Sequence, residues 1–244
     1  MELKGRLALV TGAAQGIGRA IAEKLAGDGA DVYLLDYNVE KVKQTAEELA
    51  KKTGARCIGV FCDVSDVKGA GALCKEIIEK EKHVDILVNN AGITQRMDVL
   101  DITEDVWDRT FDINLRGAFF LTQAVFGHMK ENRRGVIVNM TSLSAERGAR
   151  FSSVAYTTSK GGVLAMTKCL ALLGGEYGVR VNAVAPGIID TAMTAVLNSN
   201  IDDVPLGRIG TPEDVAEAVR FLCSDRSSYL TGQVIDVNGG QLMR

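Results

Sequence analysis

Two periods of apolar spacing alternate along this chain. Leu7-Ala8-Leu9-Val10-Thr11 is a short apolar run that ends in glycines, and it reads as a strand. Helical spacing follows from Ile17 to Ala26, closed by Gly27 and Gly29. Val32 to Asp36 is the next strand, and a charged helix covers Val39 to Lys52. The rhythm continues with a strand at Arg56–Cys62, a helix at Val67–Glu81 and a strand at Asp85–Val88. The second half predicts one long helix over Glu104–Lys130, a strand at Val136–Met140 and a second long helix over Val154–Glu176. A strand at Arg180–Val184, a helix at Pro212–Cys223 and a last strand at Val234–Val237 complete the pattern.

Several of these strands are apolar on both faces, which a sheet requires when helices cover it on each side. Repeated strand–helix units with short connections predict a doubly wound parallel α/β sheet. No Pro/Ser-rich linker and no internal repeat interrupts it, so residues 1–244 read as a single domain. The 244 residues are 46% hydrophobic and 24% charged, with a net charge of -3 and interspersed signs. No basic block is present to track phosphates, which argues against a nucleic-acid partner. Cys57, Cys62, Cys74, Cys169 and Cys223 form no C-x-x-C pair, and His83 and His128 lie outside ligand spacing, so no metal is expected. The N-terminal residues lack the apolar core of a signal peptide, and no apolar run reaches membrane-spanning length. The expectation is a cytoplasmic protein with no membrane partner.

The candidate chemistry starts at the first turn. Gly12, Gly16 and Gly18 punctuate Thr11-Gly12-Ala13-Ala14-Gln15-Gly16-Ile17-Gly18, between the first strand and the first helix. Glycine lets the chain turn sharply and lets a pyrophosphate approach the backbone, and the helix N-terminus behind it favours an anion. Glycine spacing alone equally describes a plain strand-to-helix turn. Asp36, at the end of the second strand and 36 − 18 = 18 residues beyond Gly18, adds context. A carboxylate there accepts hydrogen bonds from the adenosine ribose of a dinucleotide. It also repels the 2′-phosphate of NADP, and positions 13 to 15 and 37 hold no Arg or Lys to answer it. Arg19 is the nearest cation, one turn into the helix. The cofactor predicted is NAD; the alternative is that Asp36 only caps the helix after it.

With these residues in view, the chain resembles the short-chain dehydrogenase/reductase family in its compact single-domain form. The first turn, including Gln15 and Ile17, matches that family's T-G-x-x-x-G-I-G. Asp63-Val64 ends the third strand, where family members meet the adenine. Asn89-Asn90-Ala91-Gly92 follows the fourth strand, Asn114 sits in the long helix, and Tyr156-Thr157-Thr158-Ser159-Lys160 is a Y-x-x-x-K. Asn182 to Gly187, with Ile189 and Thr191, matches the segment that meets the nicotinamide, Pro186 included; Leu230 to Gly240 is also family-like. The resemblance covers essentially the whole chain. It implies a Rossmann-type sheet of about seven strands. It also implies cofactor contacts from Gly12, Gln15, Gly16, Ile17, Gly18, Asp36, Asp63, Val64, Asn90, Ala91, Gly92, Tyr156, Lys160, Pro186, Gly187, Ile189 and Thr191.

Carbonyl reduction needs a hydride on carbon and a proton on oxygen. A phenol supplies the proton well only if its pKa, ordinarily about 10, is brought toward working pH. Tyr156 and Lys160 stand i, i+4, on one helix face, and an ammonium beside a phenol favours the phenolate. Such a tetrad is common by itself; the whole-chain match makes it the catalytic pair. The resemblance makes Ser142 the donor to the substrate oxygen. Its spacing departs by one, since 156 − 142 = 14 where many relatives have 13, and the residue at 13 is Leu143. An insertion between Ala145 and Ser153 would account for that, and Ser144 is the alternative donor. Asn114 is expected to interrupt its helix and hold a water that resupplies protons through Lys160.

The substrate is a small carbonyl compound or secondary alcohol. A polyol, sugar or sugar acid is the first reading, 3-oxoacyl thioester reduction the second, and a non-catalytic dinucleotide sensor the third. Ala192 to Val204 should form a short substrate lid after Thr191, and Arg96, Arg147 and Arg150 lie near the pocket mouth by analogy. The helix from Ala155 to Leu173 is apolar on more than one side, and by resemblance it pairs with the Glu104–Lys130 helix across subunits into a homotetramer.

Overall fold

The computed structural model describes residues 1–149, 152–192 and 201–243. Seven strands form one sheet in the order β3-β2-β1-β4-β5-β6-β7. They are β1 (Leu7–Thr11), β2 (Asp31–Asp36), β3 (Cys57–Phe61), β4 (Ile86–Asn89), β5 (Gly135–Met140), β6 (Val179–Pro186) and β7 (Val234–Val237). Every neighbouring pair is parallel. The chain winds outward from β1 to β3, then crosses back to lay β4 on the other side of β1. That reversal opens a crevice at the carboxyl ends of β1 and β4, the usual ligand site of such sheets.

Strand alternation sorts the core into two layers. Ala8, Val10, Leu34 and Val88 point to one face and pack against α1 (Gly16–Gly27), α2 (Val39–Thr53) and α8 (Pro212–Cys223) through Ile21, Leu25, Leu49 and Val219. Leu7, Leu9, Leu35 and Leu87 point to the other and meet α3 (Val67–Glu81), α5 (Gly117–Glu131) and α7 (Val154–Gly175) through Cys74, Ile77, Leu121, Val125 and Leu170. Period-two side chains on two covered faces are what a doubly wound sheet demands.

Three features differ from the pattern read in the sequence. The stretch expected as one helix over 104–130 is α4 (Glu104–Phe111), a single π turn over Asp112–Arg116, then α5. Extra residues in a turn leave the regular bonding locally unmade, and Asn114 sits in the middle of it. A short helix, α6 (Ser144–Arg147), occupies the connection between β5 and α7, where no element was expected. Strand β6 also runs on to Pro186, two residues past the expected end, and so carries the chain directly into the crevice. Most of the expected lid, and Arg150, lie outside the described residues.

Candidate active site

A cavity of about 750 Å³ occupies the crevice, and every residue assigned to the cofactor above lines it, as does Ser142. Its floor is the glycine turn. Gly12 and Gly16 adopt φ of 64° and 56°, the left-handed region that glycine enters freely. A Cβ on Gly12 would stand 2.9 Å from the Ala91 Cα, and one on Gly18 would stand 2.1 Å from the Gly12 carbonyl oxygen. Asn90 locks the two loops together: its Nδ2 donates to the carbonyls of Thr11 at 2.9 Å and Gly12 at 3.2 Å. The Thr11 hydroxyl accepts from the backbone N–H groups of Asn90 and Ala91, both at 2.9 Å. Helix α1 begins without a side-chain cap and without an acidic first turn, so its leading N–H groups remain available to an anion. These glycines and bare amides fit the pyrophosphate of a dinucleotide.

At one end of this floor stands Asp36, buried. Its Oδ2 accepts from Ala14 N at 3.0 Å and its Oδ1 from Asn38 N at 3.0 Å. The carboxylate is therefore fixed by two backbone amides. The helix cap itself is the Asn38 side chain, which accepts from Lys41 N at 3.1 Å. Asp63, next along the wall, is held below the usual carboxylate range mainly by the Ser65 hydroxyl, which donates to it at 2.6 Å.

The opposite end holds the acid/base residues. Burial pushes the Tyr156 phenol up from 10.0, and a hydrogen bond from Ser142 opposes that push. Lys160 is buried, and desolvation brings its ammonium down to about 8. Its Nζ donates to the Met140 carbonyl at 2.7 Å and stands 5.9 Å from the centroid of the Tyr156 ring. The expected lowering of the phenol by the ammonium is not what dominates here; burial is. Tyr156 thus stands protonated at neutral pH, the form a proton donor requires.

Ser142 lines the same cavity as Tyr156 despite the departure in spacing, and helix α6 follows it directly. Ser144 lies behind it: its hydroxyl donates to Ser142 Oγ at 3.0 Å and its backbone N–H does so at 3.2 Å. Those two donations leave the Ser142 proton directed toward the cavity. Asn114 does not line the cavity. Its Oδ1 accepts from Ile93 N at 2.8 Å, and its Nδ2 donates to Ile93 O and to Ser159 Oγ, each at 3.0 Å. The Ser159 hydroxyl passes the link to the Tyr156 carbonyl at 2.7 Å. The amide is fully engaged, so a water relay at this position has only the backbone freed by the π turn to work with. Gly92 keeps the space open: a Cβ there would lie 3.2 Å from Asn114 Oδ1 and 3.5 Å from Lys160 Nζ.

The far wall is the end of β6. Gly187 N donates to Val237 O at 2.9 Å, and Leu143 N donates to Pro186 O at 3.0 Å, which ties the Ser142 segment to that strand. Thr191 crosses to the glycine turn, its Cγ2 lying 3.7 Å from where a Gly16 Cβ would stand. Arg147 is exposed and donates to Gln241 O at 3.3 Å, on the rim; Arg96 is exposed as well. Lys41, Ile93 and Arg109 also line the cavity and were not read from the sequence. Among the described residues no cluster of His, Cys, Asp or Glu could hold a metal. No helix among them is long and apolar enough to cross a membrane.

The family profile described as enoyl-(acyl carrier protein) reductase matches residues 12–241. The chain is 44% identical to the 3-oxoacyl-(acyl-carrier-protein) reductase of Aquifex aeolicus, over 98% of each chain. It superposes on a candidate gluconate dehydrogenase from Agrobacterium tumefaciens with a TM-score of 0.95, at 35% identity over 100% of this chain and 98% of that one. A candidate NAD(P)-dependent gluconate 5-dehydrogenase from Beutenbergia cavernae, with NADP bound at low occupancy, gives 0.94 at 38% identity over 98% of both. The chain belongs to the short-chain dehydrogenase/reductase family. It is an oxidoreductase of the class that interconverts CH–OH and C=O groups, with a nicotinamide dinucleotide as cofactor.

Proposed function

We propose that this protein transfers a hydride between NAD(H) and a small carbonyl compound or secondary alcohol, with Tyr156 as its acid/base. The observation that carries this reading is a single cavity lined by Tyr156, Ser142 and Lys160 and also by Asp36, whose carboxylate two backbone amides fix. The nicotinamide supplies or takes the hydride when bound. Asp36 orients the adenosine ribose, and its charge favours NAD over NADP. Ser142 donates to the substrate oxygen, and Tyr156 delivers the proton to it. Lys160, a cation held in a desolvated site, stabilises the phenolate left behind and reaches the nicotinamide ribose. Asn114 holds the Gly92–Ile93 backbone clear of the lysine.

Replacing Tyr156 by Phe removes one oxygen and keeps the ring. The variant should bind NADH with unchanged affinity in a fluorescence titration and lose turnover by about 10³-fold or more. Near-normal turnover would sink the mechanism.

Polyols, sugars and sugar acids are the first substrate class to try, in view of the two gluconate dehydrogenase candidates. The identity with the Aquifex reductase supports a 3-oxoacyl thioester equally well. NADH consumption against ketoses, ketoacids and oxoacyl thioesters separates the two. For assembly, Leu172 and Leu173 on α7 are 84% and 61% exposed, apolar area that a second subunit would cover in a two-fold homotetramer. Light scattering that reports a monomer would refute this.

A further inference from the structure

Five residues close a ring of contacts around the Asp36 end of the cavity. Asp36 accepts from Asn38 N, Asn38 Oδ1 accepts from Lys41 N, and Lys41 Nζ donates to Gln15 Oε1. Gln15 adjoins Ala14, whose N–H returns to Asp36. The ring places a fixed anion and an exposed cation on the same rim, and both line the cavity. The partner of the Lys41 ammonium is a neutral amide, so this contact leaves its charge uncompensated. Arg19, the nearer cation in sequence, is engaged elsewhere, with Glu48 on α2 at 2.9 Å.

We infer that Lys41 is a cofactor-specificity residue: it offers its ammonium to a 2′-phosphate on the adenosine ribose, so that the cavity takes NADP as well as NAD. The inference rests on the NAD(H) reading of the site and deepens it. Asp36 sets the preference for a free ribose, and Lys41 limits how large that preference is. The chemistry is ordinary. A phosphate beside a fixed carboxylate is repelled, and a flexible lysine can leave an amide for a dianion because a charge-assisted hydrogen bond is the stronger contact. Gln15 then remains as a neutral donor through its Nε2. The contact falls on the first turn of α2, where the helix end also favours negative charge.

The test is equilibrium binding. NADH, NADPH, AMP and adenosine 2′,5′-bisphosphate are titrated calorimetrically into the wild type, Lys41→Gln and Lys41→Arg. The expected result is that Lys41→Gln weakens NADPH and the bisphosphate about tenfold more than NADH and AMP, while Lys41→Arg keeps the wild-type ratio. Added salt should weaken the phosphorylated pair more than the other in the wild type, and lose that difference in Lys41→Gln. A ratio unmoved by Lys41→Gln, or no detectable NADPH binding to the wild type, overturns the inference. Tighter NADPH than NADH in the wild type overturns the NAD preference instead, and leaves the Lys41→Gln shift to be read on its own.

Discussion

Ser142 accepts two hydrogen bonds from Ser144 and lines the same cavity as Tyr156. That arrangement assigns the two serines different work. Ser142→Ala removes a donor aimed at the substrate oxygen and should lower kcat by about 10²-fold, with NADH affinity intact. Ser144→Ala leaves the backbone donation to Ser142 in place, so kcat should fall by only about threefold to tenfold. Steady-state kinetics on both variants checks the order; an equal loss would show that Ser144 touches the substrate itself. The sequence left this choice open because the one-residue departure in spacing could be absorbed anywhere in the loop.

At the scale of elements, the π turn is the feature that carries the site. The apolar spacing from Glu104 to Lys130 runs through it without a break, so periodicity alone predicts one helix. The family resemblance, which expects Asn114 to interrupt its helix, places the break that periodicity misses. Asn114 makes three hydrogen bonds, two part-buried ones to the Ile93 backbone and a buried one to Ser159. Asn114→Ala strands the Ile93 N–H and C=O and removes the donation to Ser159 Oγ, whose own bond to the Tyr156 carbonyl remains. The expected loss is about 2–3 kcal/mol of stability, measured by urea unfolding, with a fall in kcat larger than in NADH affinity. Asn114→Asp keeps the shape and the bond from Ile93 N but sets an acceptor against the Ile93 carbonyl, so it should recover little of the stability. The strands and outer helices were legible because burial on one or both faces writes a period into the sequence. The clamp was not, because its partners lie 21 and 45 positions away along the chain.

The whole molecule shows the same division. The doubly wound parallel sheet and the glycine floor follow from local pattern and short connections, and the residues that line the cavity largely sit at strand ends where that pattern places them. Lys41 was not legible in the sequence, because the ring that brings it to Asp36 is closed through space.

Burial on both faces of the sheet has a further consequence for stability against pH. Desolvation pushes the thiols of Cys62, Cys74 and Cys223 from 9.0 up to about 12, and Tyr33, desolvated and bonded to Glu81, also up to about 12. The unfolded chain gives up those thiol protons from pH 9.0 and the fold does not, so their contribution is complete below that pH and drains away as pH rises toward about 12. Lys160 works in the opposite sense. Its charged form is disfavoured in the fold, so its penalty is complete below about 8 and is relieved as pH climbs to 10.5. Between pH 8 and 9 the lysine acts almost alone, and ligand-free protein should gain stability. Above pH 9 three thiols outweigh one ammonium and stability should fall, each proton contributing a slope of up to about 1.4 kcal/mol per pH unit. Thermal midpoints of the ligand-free protein from pH 7 to 11 should therefore pass through a maximum near pH 9. Lys160→Met should abolish the rise, and Cys74→Ala should shallow the descent. A midpoint that keeps climbing above pH 10 would show that the thiols are not held protonated by the fold.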